Sequence, residues 1–174
     1  MSHAPLSDPF PPGAAPVLLL LSPEEEDGAV RRAAAFLSRY RRLNHHINSR
    51  LAFRQRLMEI ATRISSAPPG LAEGRGSASG DRLGDAVARL ADLEREIDRD
   101  VDRLVDLKEE IWCLLDRLEN PEAALLLDDY YIAGMTMKKA AARAGYDERY
   151  AYRLRRHALI QISRFLDARD AAAG

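Results

Sequence analysis

The sequence is poor in the residues that build covalent or metal-held frameworks. Its 174 residues include one cysteine, Cys113, so no disulfide can form within the chain and no cysteine-rich zinc site is available. His45 and His46 are adjacent and point to different sides of a helix, so they are not a metal-binding pair spaced one turn apart. Aromatic residues make up 6% of the chain and there is a single tryptophan. No apolar run approaches the ~18 residues that a membrane-spanning helix needs. The longest, Val17-Leu18-Leu19-Leu20-Leu21, comes after proline-rich sequence without a basic start, which also makes it a poor secretory signal. A cytoplasmic protein without a membrane partner is the expectation. Catalytic groupings are missing too. There is no Ser-His-Asp set, no carboxylate pair in a polar pocket pattern, no phosphate loop and no cofactor motif, so the chain is read as a non-enzyme with no catalytic, metal or cofactor-binding residues.

What is present is charge and helical periodicity. Charged residues are 30% of the chain and hydrophobic residues 47%, yet the net charge is only −1. That near-balance hides a strong segregation. Residues 1–28 carry prolines at 5, 9, 11, 12, 16 and 23 and read as a disordered tail. Residues 29–64 lack Gly and Pro and hold nine arginines against one acid, Glu59. Apolar residues there recur at Phe36, Tyr40, Leu43, Ile47, Leu51, Met58 and Ala61, a single helical stripe that Leu37, Leu57, Ile60 and Ile64 widen. Residues 65–81 have the composition of a flexible loop, with Asp81 as a candidate N-cap for a second long helix. Residues 82–119 hold twelve acids against seven bases. The steps Leu83, Val87, Leu90, Glu94, Ile97, Val101, Leu104, Lys108, Ile111, Leu115 and Leu118 alternate four and three, which predicts a coiled-coil seam with Glu94 and Lys108 fixing its register.

A basic helix and an acidic helix joined by a loop predict an antiparallel coiled-coil hairpin over 29–119, with oligomerisation or partner contact as its task. A rival reading gives the basic helix phosphate contacts of its own. Cys113 and Trp112 fall on the acidic helix, where packing in the core or on its flank is their expected role.

The pattern changes at Asn120. Asn120 caps and Pro121 opens a short helix to about Ile132, which Gly134 ends; Thr136 caps a second to about Ala144, which Gly145 ends; Asp147 caps a third to about Asp167, with 168–174 as a tail. Short helix, glycine turn and helix is the order of a helix-turn-helix. Ala140, Ala141 and Ala144 are small enough for two helices to cross closely, and Ala151, Leu154, Ala158 and Ile162 form an inward face on the third. On its outward face Arg149, Arg153 and Arg156 share one stripe with Tyr152 at its edge, and no acid lies between Arg149 and Arg164. Arginine there can pair bidentately with guanine, and Tyr152 can bond phosphate or stack. Lys138, Lys139 and Arg143 on the preceding helix are candidates for backbone contacts. His157 is expected against phosphate or solvent, and Ile160 against the long helices or another subunit. The whole is an all-α chain with a helix-turn-helix DNA-binding domain over 120–167.

Further residues carry a family resemblance. They are Tyr40-Arg41-Arg42-Leu43, Ile47-Asn48, Asp81-Arg82-Leu83, Leu93-Glu94-Arg95-Glu96-Ile97, Asp102-Arg103-Leu104, Lys108-Glu109-Glu110-Ile111, Tyr131-Ile132-Ala133-Gly134, Ala141 with Gly145-Tyr146, Arg153-Leu154 and Ala158-Leu159. Across about residues 36–165 the chain resembles small phage and prophage proteins with a helix-turn-helix like region 4 of sigma-70 factors, related to phage late-gene transcriptional activators. The resemblance implies a DNA-binding transcription regulator encoded by a phage or prophage. Members often have Arg-Tyr where this chain has Tyr130-Tyr131, and Trp-Glu-Glu-Ile-Ala where it has Met137-Lys138-Lys139-Ala140-Ala141. The lysines suit phosphate, and the lost Trp and Ile imply a thinner local core. Two further readings fit: a coiled-coil adaptor that binds RNA polymerase or another protein, and the small DNA-recognition subunit of a phage packaging motor. The regulator would bind double-stranded DNA, contact RNA polymerase, and self-associate through the long helices.

Overall fold

The computed structural model describes residues 22–65 and 76–173, with side chains at 22–63 and 84–172. The described residues are all-helical. Helices α1 (Pro23–Ser65) and α2 (Gly76–Leu115) are followed by α3 (Pro121–Leu127), a π-helical turn (Asp128–Ile132), α4 (Met137–Ala144) and α5 (Glu148–Ala173). None of these helices is long and apolar enough to cross a membrane. The loop expected over 65–81 falls partly on residues 66–75, outside the described residues, as does the tail as far as residue 21.

Helix α1 starts six residues before the periodicity predicts. The tail reading of residues 23–28 is therefore corrected, and the reason lies in the cap. Ser22 Oγ accepts from Glu25 N at 3.3 Å, while Glu25 Oε2 accepts from Ser22 N at 2.7 Å. This reciprocal capping box suits Pro23, whose fixed φ and missing N–H fit the first helical position. The bonds from Ser22 also hold the Glu25 carboxyl below its usual range. A proline read as a breaker is here a starter. Asp81 likewise lies inside α2 and does not cap it, and α5 runs on to Ala173, so residues 168–173 are helix and not tail.

The two long helices lie side by side and run in opposite directions. Arg50 pairs with Asp100 and Glu96, Arg54 with Glu94 at 2.8 Å, and His46 Nε2 lies 3.9 Å from Asp100. Rising numbers on α1 meet falling numbers on α2. Burial then shows which residues face inward. On α2 and the turn after it the inward positions are Ala86, Leu90, Leu93, Ile97, Asp100, Leu104, Leu107, Ile111, Leu114 and Leu118, stepping four and three throughout. The expected seam shares Leu90, Ile97, Leu104, Ile111 and Leu118 with it, and its Leu115 is buried as well. Its alternate members are corrected by one residue: Val87, Glu94 and Val101 are exposed, and Ala86, Leu93 and Asp100 take their places. The polar residue inside the seam is Asp100, 5% exposed, in place of Glu94 and Lys108. It accepts from Arg50 and, at 3.3 Å, from Arg103. On α1, Leu51 and Met58 leave the expected stripe and are exposed.

One hydrophobic core crosses the predicted domain boundary at 119/120. Ala33, Phe36 and Leu37 of α1 and Leu107, Ile111, Leu114 and Leu115 of α2 share it with Leu126, Leu127, Tyr131, Met137, Ala140, Ala151, Leu154, Leu159 and Ile162. The base of the long pair and the C-terminal helices are thus a single packing unit. The other half of the pair holds only a small cluster, Ile47, Leu93 and Ile97, with Leu43, Leu57 and Leu104 beside it.

Candidate nucleic-acid interface

The caps inferred from sequence position the C-terminal helices. Asn120 Oδ1 accepts from Glu122 N at 2.9 Å and Ala123 N at 3.3 Å, Thr136 Oγ1 from Lys139 N at 3.3 Å, and Asp147 Oδ1 from Tyr150 N at 2.9 Å. Helix α4 ends as a Schellman motif: Tyr146 N donates to Ala141 O and Gly145 N to Ala142 O, with Gly145 at φ 76°. That left-handed conformation costs little only for glycine. Between α3 and α4 the chain widens into the π-helical turn, where Ala133 N reaches back to Asp128 O at 3.0 Å. The turn buries Asp129 and Tyr131, and Gly134 at φ 73° ends it.

Small side chains let α4 and α5 approach closely. Ala140, Ala141, Ala151 and Ala158 are all buried, with Leu154 and Ile162 completing the inward face of α5 as expected. The opposite face of α5 carries Arg149, Tyr152, Arg153 and Arg156. Residues 137–164 hold eight Lys and Arg against Asp147 and Glu148 only, a local charge of +6 in a chain of net −1.

These cations differ in what already engages them. Lys138, Lys139 and Arg149 are exposed and make no side-chain contact with an acid among the described residues. The Arg153 guanidinium stands 5.8 Å from the Tyr150 ring centre, with no carboxylate among the described residues. Tyr152 is half exposed. Arg156 is different: its guanidinium reaches Asp27 at 2.7 Å and Glu26 at 3.2 Å, on the first turns of α1. Those bonds, Asp27's first, raise its already high pKa. Arg143 bonds the buried Asp129 at 2.8 Å, although its side chain remains largely exposed. Of the seven expected contact residues, then, five are uncommitted among the described residues and two are held by carboxylates of the same molecule.

Several neighbours carry structure here. Arg155, one step round from the stripe, donates to the Tyr131 hydroxyl at 2.6 Å and lies against the Tyr130 and Tyr131 rings. Burial raises the Tyr131 pKa, which the adjacent Arg155 partly offsets. Tyr146 bonds Glu122, and that bond pushes its pKa up to about 12. Ile160 is fully packed inside the protein. His157 is half-buried, and loss of solvent lowers its pKa, an effect that Glu119 partly offsets. On α2, Trp112 and Cys113 are exposed, and Trp112 Nε1 donates to Asp128 at 2.9 Å. The arginines of α1 are partly consumed by α2 and α5 through Arg50, Arg54 and Arg32, the last 3.4 Å from Asp167.

What sequence reasoning missed is the pairing of Arg156 and Arg143 with acids 130 and 14 positions away in the chain. The one signal for the first was the acidic run Glu24-Glu25-Glu26-Asp27, hidden within a segment read as tail. No family model, curated protein or solved structure matches this chain.

Proposed function

We propose that the chain is a DNA-binding transcription regulator of phage or prophage type. In this reading α4 and α5 form a helix-turn-helix, the first turns of α5 enter the major groove, and the long pair is a coiled-coil hairpin for self-association or contact with RNA polymerase. The observation that carries it is the set of cations around the Gly145 turn that no carboxylate among the described residues engages: Lys138, Lys139, Arg149 and Arg153. Arg149 and Arg153 stand one turn apart at the start of α5, where a helix laid in the groove meets base edges. Tyr152 lies beside them as a phosphate or stacking partner. The lysines project from the first turn of α4, the helix that crosses the backbone in such motifs. Arg156 belongs to this surface only when it leaves Glu26 and Asp27.

Fluorescence anisotropy with a labelled duplex of about 20 base pairs tests this directly. Binding is expected at about 50 mM salt, with a log–log salt slope near −3 to −4 for about four neutralised phosphates. Arg149→Glu with Arg153→Glu is expected to lower affinity at least about a hundredfold, by replacing two attractions with two repulsions. Both side chains are exposed, so the helical circular dichroism should not change. Absence of binding by the native chain at low salt, or an unchanged affinity in the double variant, rejects the proposal.

A further inference from the structure

The long pair is flanked differently along its length, and the difference points to a partner. The residues on either side of the α1 seam fall in two rows. One row is Val30, Leu37, Asn44, Leu51 and Met58; the other is Arg32, Arg39, His46, Phe53 and Ile60. At the base one row is covered and the other is charged. Leu37, in one row, is fully buried in the main core, while Arg32 and Arg39, in the other, stay exposed and charged, Arg32 reaching Ser163 and Asp167 of α5. Beyond Asn44 and His46 the C-terminal helices end and nothing in the described structure lies over either row. Here both rows become apolar, and Leu51, Phe53, Met58 and Ile60 are 42%, 51%, 42% and 49% exposed. Val87 and Val101 of α2 are exposed on the same half. The seam between the rows is the reverse of what a free-standing pair needs, since it places the buried Asp100 and the partly buried Arg50 inside.

A helix with charge on its seam and apolar residues on both flanks is built for more than one neighbour. In a two-stranded coiled coil the flanking rows are charged. We infer that a second copy of this chain covers the outer half of the pair, so that the two pairs form a four-helix bundle. Charge selects that occupant. Residues 47–63 of α1 carry four arginines and one acid, while residues 84–100 of α2 carry six acids and three arginines. An isologous contact puts the basic helix of each copy against the acidic helix of the other, twice, so the surface is complementary to itself. Arg56 and Asp98 are exposed and take no part in ion pairs among the described residues, which leaves them for contacts between copies. This inference is independent of DNA binding; either stands if the other fails.

Sedimentation velocity and light scattering on the full chain, from about 1 to 100 µM, provide the test. A species of twice the 19.4 kDa chain mass, or a larger assembly sensitive to the same substitutions, is expected. Leu51→Gln with Met58→Gln should weaken association about a hundredfold, because two apolar side chains lose their burial. Glutamine is a good helix former and both sites are exposed within the chain, so folding should be kept, as circular dichroism will show. Leu125→Gln, at an exposed leucine of α3 away from the outer half, should leave association unchanged. A monomer across the whole range overturns the inference. So does an oligomer that the outer-half substitutions leave intact, or one that Leu125→Gln dissociates equally.

Discussion

The two halves of the long pair share the same four-three spacing, but their cores differ. At the base, Leu37 and Ile111 are completely buried, because α5, α3 and the π-helical turn close over helices that could not enclose a core by themselves. In the outer half the same spacing encloses Ile47, Leu93 and Ile97 and then runs into Arg50 and Asp100. Two helices alone leave most of each surface open, so spacing selects which residues face inward, whereas a third layer determines whether they leave water. The contrast also shows that the one packing unit, the base with the C-terminal helices, takes in only part of two helices of 43 and 40 residues. Much of their length lies outside that unit.

The largest effect should come from truncation at the base. Leu37→Ala or Ile111→Ala removes a fully buried side chain from a core shared by six elements, and a loss of about 3–4 kcal/mol is expected by analogy with other buried aliphatic truncations. Leu57→Ala, at a partly buried site in the outer half, should cost about 1 kcal/mol or less in the isolated chain. Urea denaturation monitored by circular dichroism at low protein concentration compares them. Equal losses at Leu37 and Leu57 would mean that the outer half is as firmly packed as the base, and the contrast would disappear.

A smaller effect is expected at Asp100. Its carboxylate is almost fully buried, and Arg50, Arg103 and the more distant His46 surround it. Asp100→Ala should cost about 1–2 kcal/mol, below the usual loss for breaking a buried ion pair, because Glu96 still holds Arg50 at 2.9 Å. Replacing both partners, Arg50→Leu with Asp100→Leu, should restore or exceed native stability, since desolvating two ions is costly and two leucines pack without it. The same double change removes the one buried polar contact that fixes how α1 slides along α2 among the described residues. A double variant less stable than Asp100→Ala would show that the ion pair stabilises the outer half on its own account.

These sites also show how much could be read from the sequence. The helix starts at Asn120, Thr136 and Asp147 were legible because a capping side chain acts on backbone two or three residues away. Gly134 and Gly145 were legible because their positive φ excludes most other residues. Half of the α2 seam was legible and half was not. Ala86 precedes Val87, so apolar residues stand at both candidate positions and spacing alone cannot choose between them, whereas Leu114 and Leu115 are both buried. Asp100 sits inside because Arg50 crosses from α1 to meet it, and a single strand of sequence contains no trace of that crossing. The candidate interface divides in the same way. The stripe of arginines comes from helical spacing, whereas the capture of Arg156 depends on the direction in which α1 returns past α5.

That capture gives the smallest effect and the one that ties the base to the proposed activity. Glu26 and Asp27 hold Arg156, which the proposed DNA-binding reading would give to a phosphate, and all three side chains are partly exposed. Solvent screens such contacts, so each pair contributes little to stability. Glu26→Gln with Asp27→Asn should therefore leave thermal unfolding almost unchanged. For DNA the balance differs, because the two carboxylates repel phosphate as well as occupying the guanidinium. Their removal should tighten duplex binding about threefold to tenfold and steepen the salt slope by about one phosphate. Arg156→Gln should have almost no effect on binding in the native background but should abolish the gain in the Glu26→Gln, Asp27→Asn background. If Arg156→Gln weakens the native protein as strongly as Arg149→Gln does, then Arg156 already contacts DNA despite its carboxylates, and the acidic start of α1 does not restrain it.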